Sequence, residues 1–179
     1  MPNRAFPNEF PSQEVKALLG IPGREFGPKE DTHFDWGLIA YWQLEELVKI
    51  GALDPDERQN YGPTIKKIMA WVEATQNQDL VELEGYVIFP PRRDARASVD
   101  AILVAFPGLE AIKKIIVDCP EIYNFGRHLP TIKKLLIAAK EDLTIFEQVK
   151  ALIRAFPKAD EEELVHDAHR RLAVRLWWD

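Results

Sequence analysis

The chain has 179 residues, of which 46% are hydrophobic and 29% are charged, a composition typical of a folded domain rather than a disordered segment. A formal net charge of -6 disfavours a surface built for phosphate contacts, and a single cysteine excludes an internal disulfide framework. No apolar stretch approaches the roughly 18 residues of a membrane span, and the start of the chain lacks the apolar run of a signal peptide. We therefore expect no membrane association and a cytoplasmic location.

The first part of the chain predicts an extended arm followed by three helices. Three early prolines predict an extended arm over residues 1–11. A short helix, QEVKALL, follows and is stopped by Gly20. The second predicted helix, WGLIAYWQLEELVKI, is capped by Asp35 and ended by Gly51, and the third begins at the pentapeptide PTIKK and ends near Thr75.

The next passage is the strand-like part of the sequence. In LVELEGYVIFPP, apolar and acidic residues alternate before a β-rich run, which predicts a small β-hairpin near residues 80–90. The basic link PPRRDAR gives a candidate sub-boundary at residues 90–96. Further helices are predicted, in chain order, for SVDAILVAF, GLEAIKKIIVD, the second PTIKK segment, LTIFEQVKALIRAF and EEELVHDAHRRLAVRLWW. The predicted fold is mainly α: a multi-helix, bundle-like single domain over residues 12–179 with a small β-hairpin.

The pentapeptide PTIKK occurs twice, at residues 63–67 and 130–134. In both copies the proline suits the first turn of a helix, because its φ is already helical and its missing N–H would have no intrahelical partner. The isoleucine begins an apolar stripe, and the paired lysines fall on the solvent side. Because the flanking sequences diverge and a solenoid needs roughly three or more units, we interpret the repeat as a helix start that is used twice.

The first copy lies in a segment whose element order resembles that of a winged helix-turn-helix: helix, turn, helix and two short strands. The resemblance implies a winged-helix-like N-terminal half and a DNA-binding regulator. Thr64, Lys66 and Lys67 would lie on its recognition helix, and Arg92 and Arg93 beyond its hairpin. Acidic residues in the same passage weigh against DNA binding. The alternative is an α+β element that covers a helical core.

The last predicted helix carries three potential metal ligands. Glu162, His166 and His169 stand at i, i+4 and i+7, so they would project from one flank of that helix. Carboxylate and imidazole groups suit zinc or iron, which makes a His/Glu metal-binding helical protein or enzyme a further alternative. The competing interpretation is a solvated helix face whose acids favour the helix N-terminus. No cofactor is predicted apart from this zinc or iron alternative.

The C-terminal sequence RRLAVRLWWD is basic and aromatic. Tryptophan and arginine dominate binding hot spots, so Arg171, Arg175, Trp177 and Trp178 are the candidate partner-binding residues. Adjacent residues of a helix point in different directions, so one tryptophan could be in the core while the other is exposed. The alternative is that both tryptophans pack against the body of the protein.

The sequence contains no Walker A loop, dinucleotide-binding fingerprint, nucleophile elbow or H-E-x-x-H motif. Enzyme activity is therefore left open and is not favoured. The favoured function is a non-catalytic cytoplasmic protein-interaction or regulatory protein that works through helical surfaces. We expect a protein partner or self-association as a homodimer, with DNA as the alternative partner.

Overall fold

The computed structural model of the chain describes residues 13–20, 33–56, 62–88, 96–119, 121, 131–156 and 158–179. The chain divides into two compact units, the first formed by residues 1–102 with Asp179 and the second by residues 103–178. The predicted arm at residues 1–11 lies outside the described residues, as does most of the candidate boundary at residues 90–96.

The described part of the first unit combines helices with two strands and most of a third. Its elements are α1 (Gln13–Leu19), β1 (His33–Ala40), α2 (Tyr41–Lys49), α3 (Ile65–Thr75), β2 (Val81–Ile88) and residues 96–102 of β3 (Arg96–Ala105). Helix α2 contributes Leu44 and Leu47 to the core, and α3 contributes Ile65 and Ile68. Removing these apolar side chains from water is the main force that holds the two helices on the unit.

The described part of the second unit holds the end of β3, further helices and a β-hairpin. Its other elements are α4 (Leu109–Asp118), α5 (Thr131–Ala138), α6 (Leu143–Ala155), β4 (Glu161–His166) and β5 (Leu172–Trp177). Helix α4 packs against α5, and α5 packs against α6. Along the sheet the strand order is β1-β2-β3-β5-β4, with β1 antiparallel to β2 and β4 antiparallel to β5.

These strands show that the prediction of a mainly α, bundle-like fold is wrong. Of the described residues, 27% are in strands and 50% in helices, so the chain belongs to the mixed α and β class. The hairpin predicted near residues 80–90 is one continuous strand, β2, and Gly85 lies inside it rather than in a turn. The sequence interpretation therefore located β2 and missed the other four strands.

Residues 36–40 form part of β1 and not the start of a helix. Strand β1 pairs with β2 from His33 opposite Ile88 to Ala40 opposite Glu82, with a β-bulge between Asp35 and Gly37. Gly37 has a φ of +76°, which a helix interior does not allow. Helix α2 begins only at Tyr41, where the Gln43 side chain accepts a hydrogen bond from the Ala40 N–H at 2.7 Å, so the predicted Asp35 cap is wrong.

Residues 96–105, which include most of the predicted helix SVDAILVAF, form β3. Every residue from 101 to 106 is buried, so the apolar pattern is a continuous run without alternation. A strand that is covered on both faces gives this pattern, and periodicity alone cannot separate it from a buried helix. The β-branched side chains of Val99, Ile102 and Val104 favour the strand.

The last predicted helix is the β4–β5 hairpin. Its glutamate, leucine, alanine and arginine residues are strong helix formers, which made the sequence resemble a helix. In the turn, the Asp167 N–H donates to the Arg171 carbonyl at 2.9 Å, and the Arg170 N–H donates to the Asp167 carbonyl at 3.0 Å. Arg170 has a φ of +62°. Strand pairing and turn hydrogen bonds therefore outweigh local helix propensity.

The predicted helices at α1, α3, α4, α5 and α6 are confirmed. Helix α6 begins as expected, because Asp142 Oδ1 accepts a hydrogen bond from the Ile145 N–H at 3.2 Å. Helix α3 is capped by Thr64 and not opened by Pro63 as its first residue. None of the helices in the described ranges is both long and apolar enough to cross a membrane.

Candidate functional site

A groove opens on the surface of the first unit between α2 and α3. Its volume is about 430 Å³, and we call it the α2–α3 groove. Helix α2 lines it with one residue, the connection between the helices with two, and α3 with four: Val48; Pro55 and Asp56; Lys66, Met69, Ala70 and Glu73. The first PTIKK segment therefore forms one end of this groove.

The connection that follows α2 is fixed against the end of that helix. Gly51 adopts a φ of +80°, which turns the chain at the helix end, as glycine does most readily. The N–H groups of Ala52 and Leu53 then donate to the Leu47 carbonyl at 2.7 and 3.2 Å. The Leu53 side chain is also buried, so the segment that leads to Pro55 and Asp56 is held in place where it leaves α2.

The rim of the groove is tied to the first turn of α3. The Lys66 N–H donates to the Pro55 carbonyl at 2.9 Å, and the Lys67 N–H donates to the Thr64 hydroxyl oxygen at 3.1 Å. Both N–H groups belong to the helix start, where no intrahelical acceptor is available. The Asp56 N–H donates to Asp54 Oδ1 at 3.0 Å. These bonds hold Pro55 and Asp56 beside Lys66.

Opposite charges stand at the two ends of the α3 side of the groove. Lys66 Nζ lies 3.8 Å from Asp56 Oδ1, and both side chains are 76% exposed, so solvent screens this ion pair strongly. Glu73 lies seven residues further along α3, which is about 10 Å or two helical turns away on nearly the same face. Between the two charges, Met69 and Ala70 give an apolar stretch.

A buried tyrosine, Tyr41, is influenced by the charge of Glu73 at the acidic end of the groove. Tyr41 is only 1% exposed, and its hydroxyl has no hydrogen-bond partner among the described residues. Burial, followed by the negative charges of Glu45 and Glu73, raises the pKa of Tyr41 from 10.0 to about 12. The hydroxyl therefore stays neutral over the physiological range, and Glu73 belongs to a locally negative region.

Replacement of Tyr41 by phenylalanine should flatten the alkaline pH dependence of stability. The unfolded tyrosine ionises near pH 10 and the folded one near pH 12, so the parent loses stability as the pH rises through this window. The loss is at most about 3 kcal/mol, from a two-unit pKa difference. Near pH 8 the Tyr41→Phe variant should be at least as stable as the parent, because the deleted hydroxyl has no partner among the described residues. Urea denaturation at pH 8, 10 and 12 measures this, and parallel pH profiles of the two proteins would contradict it.

The structure brings three of the predicted nucleic-acid residues together. Thr64 caps α3, and Lys66 and Lys67 are exposed in its first turn. Arg92 and Arg93 lie outside the described residues. The grouping of the lysines was predicted from the sequence, and DNA binding itself stays a prediction.

The predicted metal ligands lie on the β4–β5 hairpin instead of a helix. Glu162 and His166 are both in β4, and four residues of a strand span about 13 Å. His166 Nε2 lies 3.6 Å from Glu110 Oε1 in the first turn of α4, and the His169 N–H donates to Asp167 Oδ1 at 2.9 Å in the turn. The helical spacing behind the zinc or iron hypothesis is therefore lost, and metal binding stays a prediction without that support.

The predicted partner-binding residues belong largely to the interior and to local pairs of the second unit. Trp178 is 3% exposed, and its ring contacts that of Phe156 edge to face, with centroids 6.3 Å apart. Trp177 is half-buried on β5. Arg171 Nε donates to Asp167 Oδ2 at 2.7 Å, and Arg175 lies 3.5 Å from Glu163 across the hairpin. Trp178 thus stabilises the unit, and a partner could reach it only if the unit opened.

The sequence contained part of the signal for the groove. Lys66, Ala70 and Glu73 stand at i, i+4 and i+7 on the polar side of α3, and the sequence alone shows this spacing. The contribution of Pro55 and Asp56 could not be seen, because it depends on how the connection folds back on α3. No sequence pattern linked Tyr41 to Glu73.

The geometry of the groove is thus established from residues of the first unit alone. Its charged groups are surface carboxylates and an ammonium group, and its centre is apolar. In comparisons with known proteins, no family model matches the chain, and neither the curated proteins nor the solved structures include a significant match.

Proposed function

We propose that this chain is a non-catalytic protein-interaction or regulatory protein and that the α2–α3 groove is its recognition surface. The observation that carries the proposal is the combination of an apolar centre with the Lys66–Asp56 ion pair at one end and the Glu73 carboxylate at the other. Protein interfaces typically have such an apolar centre within a polar rim. We propose the cytoplasm as the place of action, on the basis of the single cysteine.

The chemistry of the groove lining favours binding over catalysis. Among its described residues there is no histidine, cysteine, serine or threonine that could act as a nucleophile or as an imidazole base. Lys66 and Asp56 form an exposed ion pair, which is a common surface arrangement. A partner that inserts an apolar side chain over Ala70 would displace water from Met69 and Val48, which favours association.

The test is an arginine introduced at the centre of the groove. Ala70→Arg places a long charged side chain where the proposal needs an apolar contact, so partner capture from native lysate should fall at least about tenfold. Ala74→Arg is the matched control, because Ala74 is exposed on the same helix one turn away and does not line the groove. Quantitative mass spectrometry of the captured proteins, with and without nuclease, measures the effect. Equal capture by both variants would refute the proposal.

A DNA-binding regulator is the second candidate. It is favoured by the element order α1-β1-α2-α3-β2-β3 and by the exposed lysines in the first turn of α3. The connection between α2 and α3 spans residues 50–64, however, which is longer than the turn of about three to four residues in a helix-turn-helix. Asp56 and Glu73 also place carboxylates beside the lysines, and these would repel phosphates.

Gel-shift experiments distinguish the second candidate from the first. If the chain binds DNA through α3, the unmodified protein shifts duplex DNA at low salt, and Lys66→Glu with Lys67→Glu abolishes the shift. We expect no shift of the unmodified protein, because the mixed charges of the groove provide no continuous cationic surface. A salt-sensitive shift that the double substitution removes would favour the DNA-binding candidate instead.

A further inference from the structure

We propose that the occupant of the α2–α3 groove is a second copy of this chain, with the two α3 helices packed antiparallel about a two-fold axis. This inference rests on the proposed function, because it names the partner of the same groove. The charges on α3 complement themselves when the helix is reversed. An isologous dimer requires such self-complementarity, since both copies contribute the same surface.

The positions on α3 fit a two-fold arrangement. At about 100° per residue, Lys66, Ala70 and Glu73 fall within a stripe roughly 60° wide, and Met69 lies about 40° beyond its edge on the Glu73 side. The midpoint between residues 66 and 73 falls between Met69 and Ala70. When a second α3 lies antiparallel with this midpoint on the axis, Lys66 of each copy faces Glu73 of the other. Two oppositely charged pairs then flank an apolar centre.

The shape of the surface permits the close approach of two helices. Ala70 is exposed and presents only a methyl group, so a second helix can come near the α3 backbone at the axis. Met69 is half-buried and flexible, and it can adjust to the opposing alanine. The groove beside the stripe, bounded by Val48 and Pro55, provides room for the partner's Met69.

The charges around the groove favour a second copy over a polyanion or an anionic membrane. Such ligands need a surface of one sign, whereas this one has Asp56 beside Lys66, and the negative charges of both Glu45 and Glu73 act on the neighbouring Tyr41. In the dimer, Lys66 would lie between its own Asp56 and the Glu73 carboxylate of the second copy. Lys67 is exposed next to it and adds positive charge at the same end.

The predicted dimer is weak. The paired stripes cover about two turns of one helix in each copy, which is less than the roughly 1,600 Å² buried in a standard interface. Interfaces of the standard size already extend to micromolar affinity, so the dimer should have a Kd in the micromolar range or weaker. Because its charged pairs are partly exposed, the dimer should also weaken as salt is added.

The test is a reciprocal exchange of the two charges, followed by sedimentation velocity from about 1 μM to about 1 mM protein, a range that brackets the expected Kd. Lys66→Glu leaves acids at both ends of the stripe, and Glu73→Lys leaves bases at both ends, so each variant alone should dimerise at least about tenfold more weakly. A one-to-one mixture of the two variants should form a heterodimer. The doubly exchanged protein, Lys66→Glu with Glu73→Lys, should dimerise within about threefold of the parent, because the pairs are restored with reversed polarity.

Both positions are exposed, and unchanged thermal unfolding of each variant would confirm that the fold is intact. A parent that is monomeric over the whole range, or single variants that dimerise as well as the parent, would overturn the inference. Failure of both the mixture and the double exchange to restore association would do the same. If the inference fails while Ala70→Arg, but not Ala74→Arg, still loses a different captured protein, the proposed function stands and only the identity of the partner is wrong.

Discussion

Replacement of Gly85 by alanine should destabilise the first unit by about 3 kcal/mol or more. A Cβ atom at this position would overlap the carbonyl oxygen of Ser98 and the indole ring of Trp36. One obstacle is backbone and the other is a large buried side chain, so neither can move aside without disturbing the sheet. Urea denaturation followed by circular dichroism gives the change in the free energy of unfolding.

The cause of this sensitivity is the β-bulge in β1. Asp35 pairs with Tyr86 and Gly37 pairs with Gly85, so Trp36 is the extra residue of the bulged strand. Trp36 is buried, with 6% of its surface exposed. Its ring lies over Gly85 and occupies the space that a side chain at residue 85 would need. The Trp36 ring can therefore pack in this position only because Gly85 has no side chain.

Gly37→Ala is the matched control for the Gly85 substitution. A Cβ atom at Gly37 would meet no atom within 4 Å, but the φ of +76° is unfavourable for alanine. Its cost should be about 1–2 kcal/mol from backbone strain alone. If Gly85→Ala cost no more than Gly37→Ala, the overlap with Ser98 and Trp36 could not be the dominant effect.

The parts of the fold that the sequence predicted correctly are those governed by local chemistry. Helix α6 begins at Leu143, the first residue of the predicted segment, where Asp142 accepts from the Ile145 N–H, and the apolar stripe of α3 buries Ile65, Ile68 and Val72. Both features depend on residues within two turns of each other. Helix caps and helical periodicity can therefore be recognised without knowledge of the rest of the chain.

The parts that the sequence missed depend on partners distant along the chain. β3 appears as a continuous apolar run because it is covered on both faces, and the sequence does not contain that information. The β4–β5 hairpin has high helix propensity, but its strands pair as far out as Glu161 with Trp177, and this cross-strand pairing overrides the propensity. β1 contains a bulge that places Trp36 over Gly85 of β2, and this contact depends on a strand that lies more than 40 residues further along the chain.

The same distinction applies to the candidate site. Lys66 and Lys67 were predicted correctly as exposed lysines at a helix start, because one turn of α3 decides their position. Asp56 lies beside Lys66 because the Pro55 carbonyl accepts the Lys66 N–H, a contact between the connection and the helix. This neighbouring carboxylate weighs against Lys66 as a phosphate contact, and the sequence alone does not show that the two side chains are close.

Replacement of Asp167 by alanine should destabilise the second unit by about 2–4 kcal/mol. Asp167 is 6% exposed, and its carboxylate accepts hydrogen bonds from the His169 N–H, the Arg171 N–H and Arg171 Nε at 2.9, 2.8 and 2.7 Å. Alanine removes every acceptor at once. Arg171 already has a buried Nη2 without a partner among the described residues, so its guanidinium would be left in an unfavourable environment.

The pH dependence of stability distinguishes the contribution of the Asp167 negative charge from that of its hydrogen bonds. Burial alone would raise the pKa of Asp167, but the N–H groups of Arg171 and His169 and the Arg171 guanidinium outweigh it and lower the pKa below its usual value. The stabilisation is therefore present above the unfolded pKa of about 3.9 and is lost as the pH falls through the lower folded value. Asp167→Asn keeps an oxygen acceptor for the turn but has no such titration. It should cost less than the alanine at pH 7 and lose less stability than the parent on acidification.

Arg170→Gly is the control for the turn itself, since it changes the residue at φ +62° and leaves Asp167 and Arg171 in place. Glycine adopts this conformation without strain, so the variant should be about as stable as the parent or up to about 1 kcal/mol more stable. Urea denaturation of the three variants at pH 7 and pH 3 tests the whole set. If Asp167→Ala lost less than about 1 kcal/mol, or if Asp167→Asn kept the parent's acid dependence, the hydrogen-bonded carboxylate would not be what stabilises the hairpin turn.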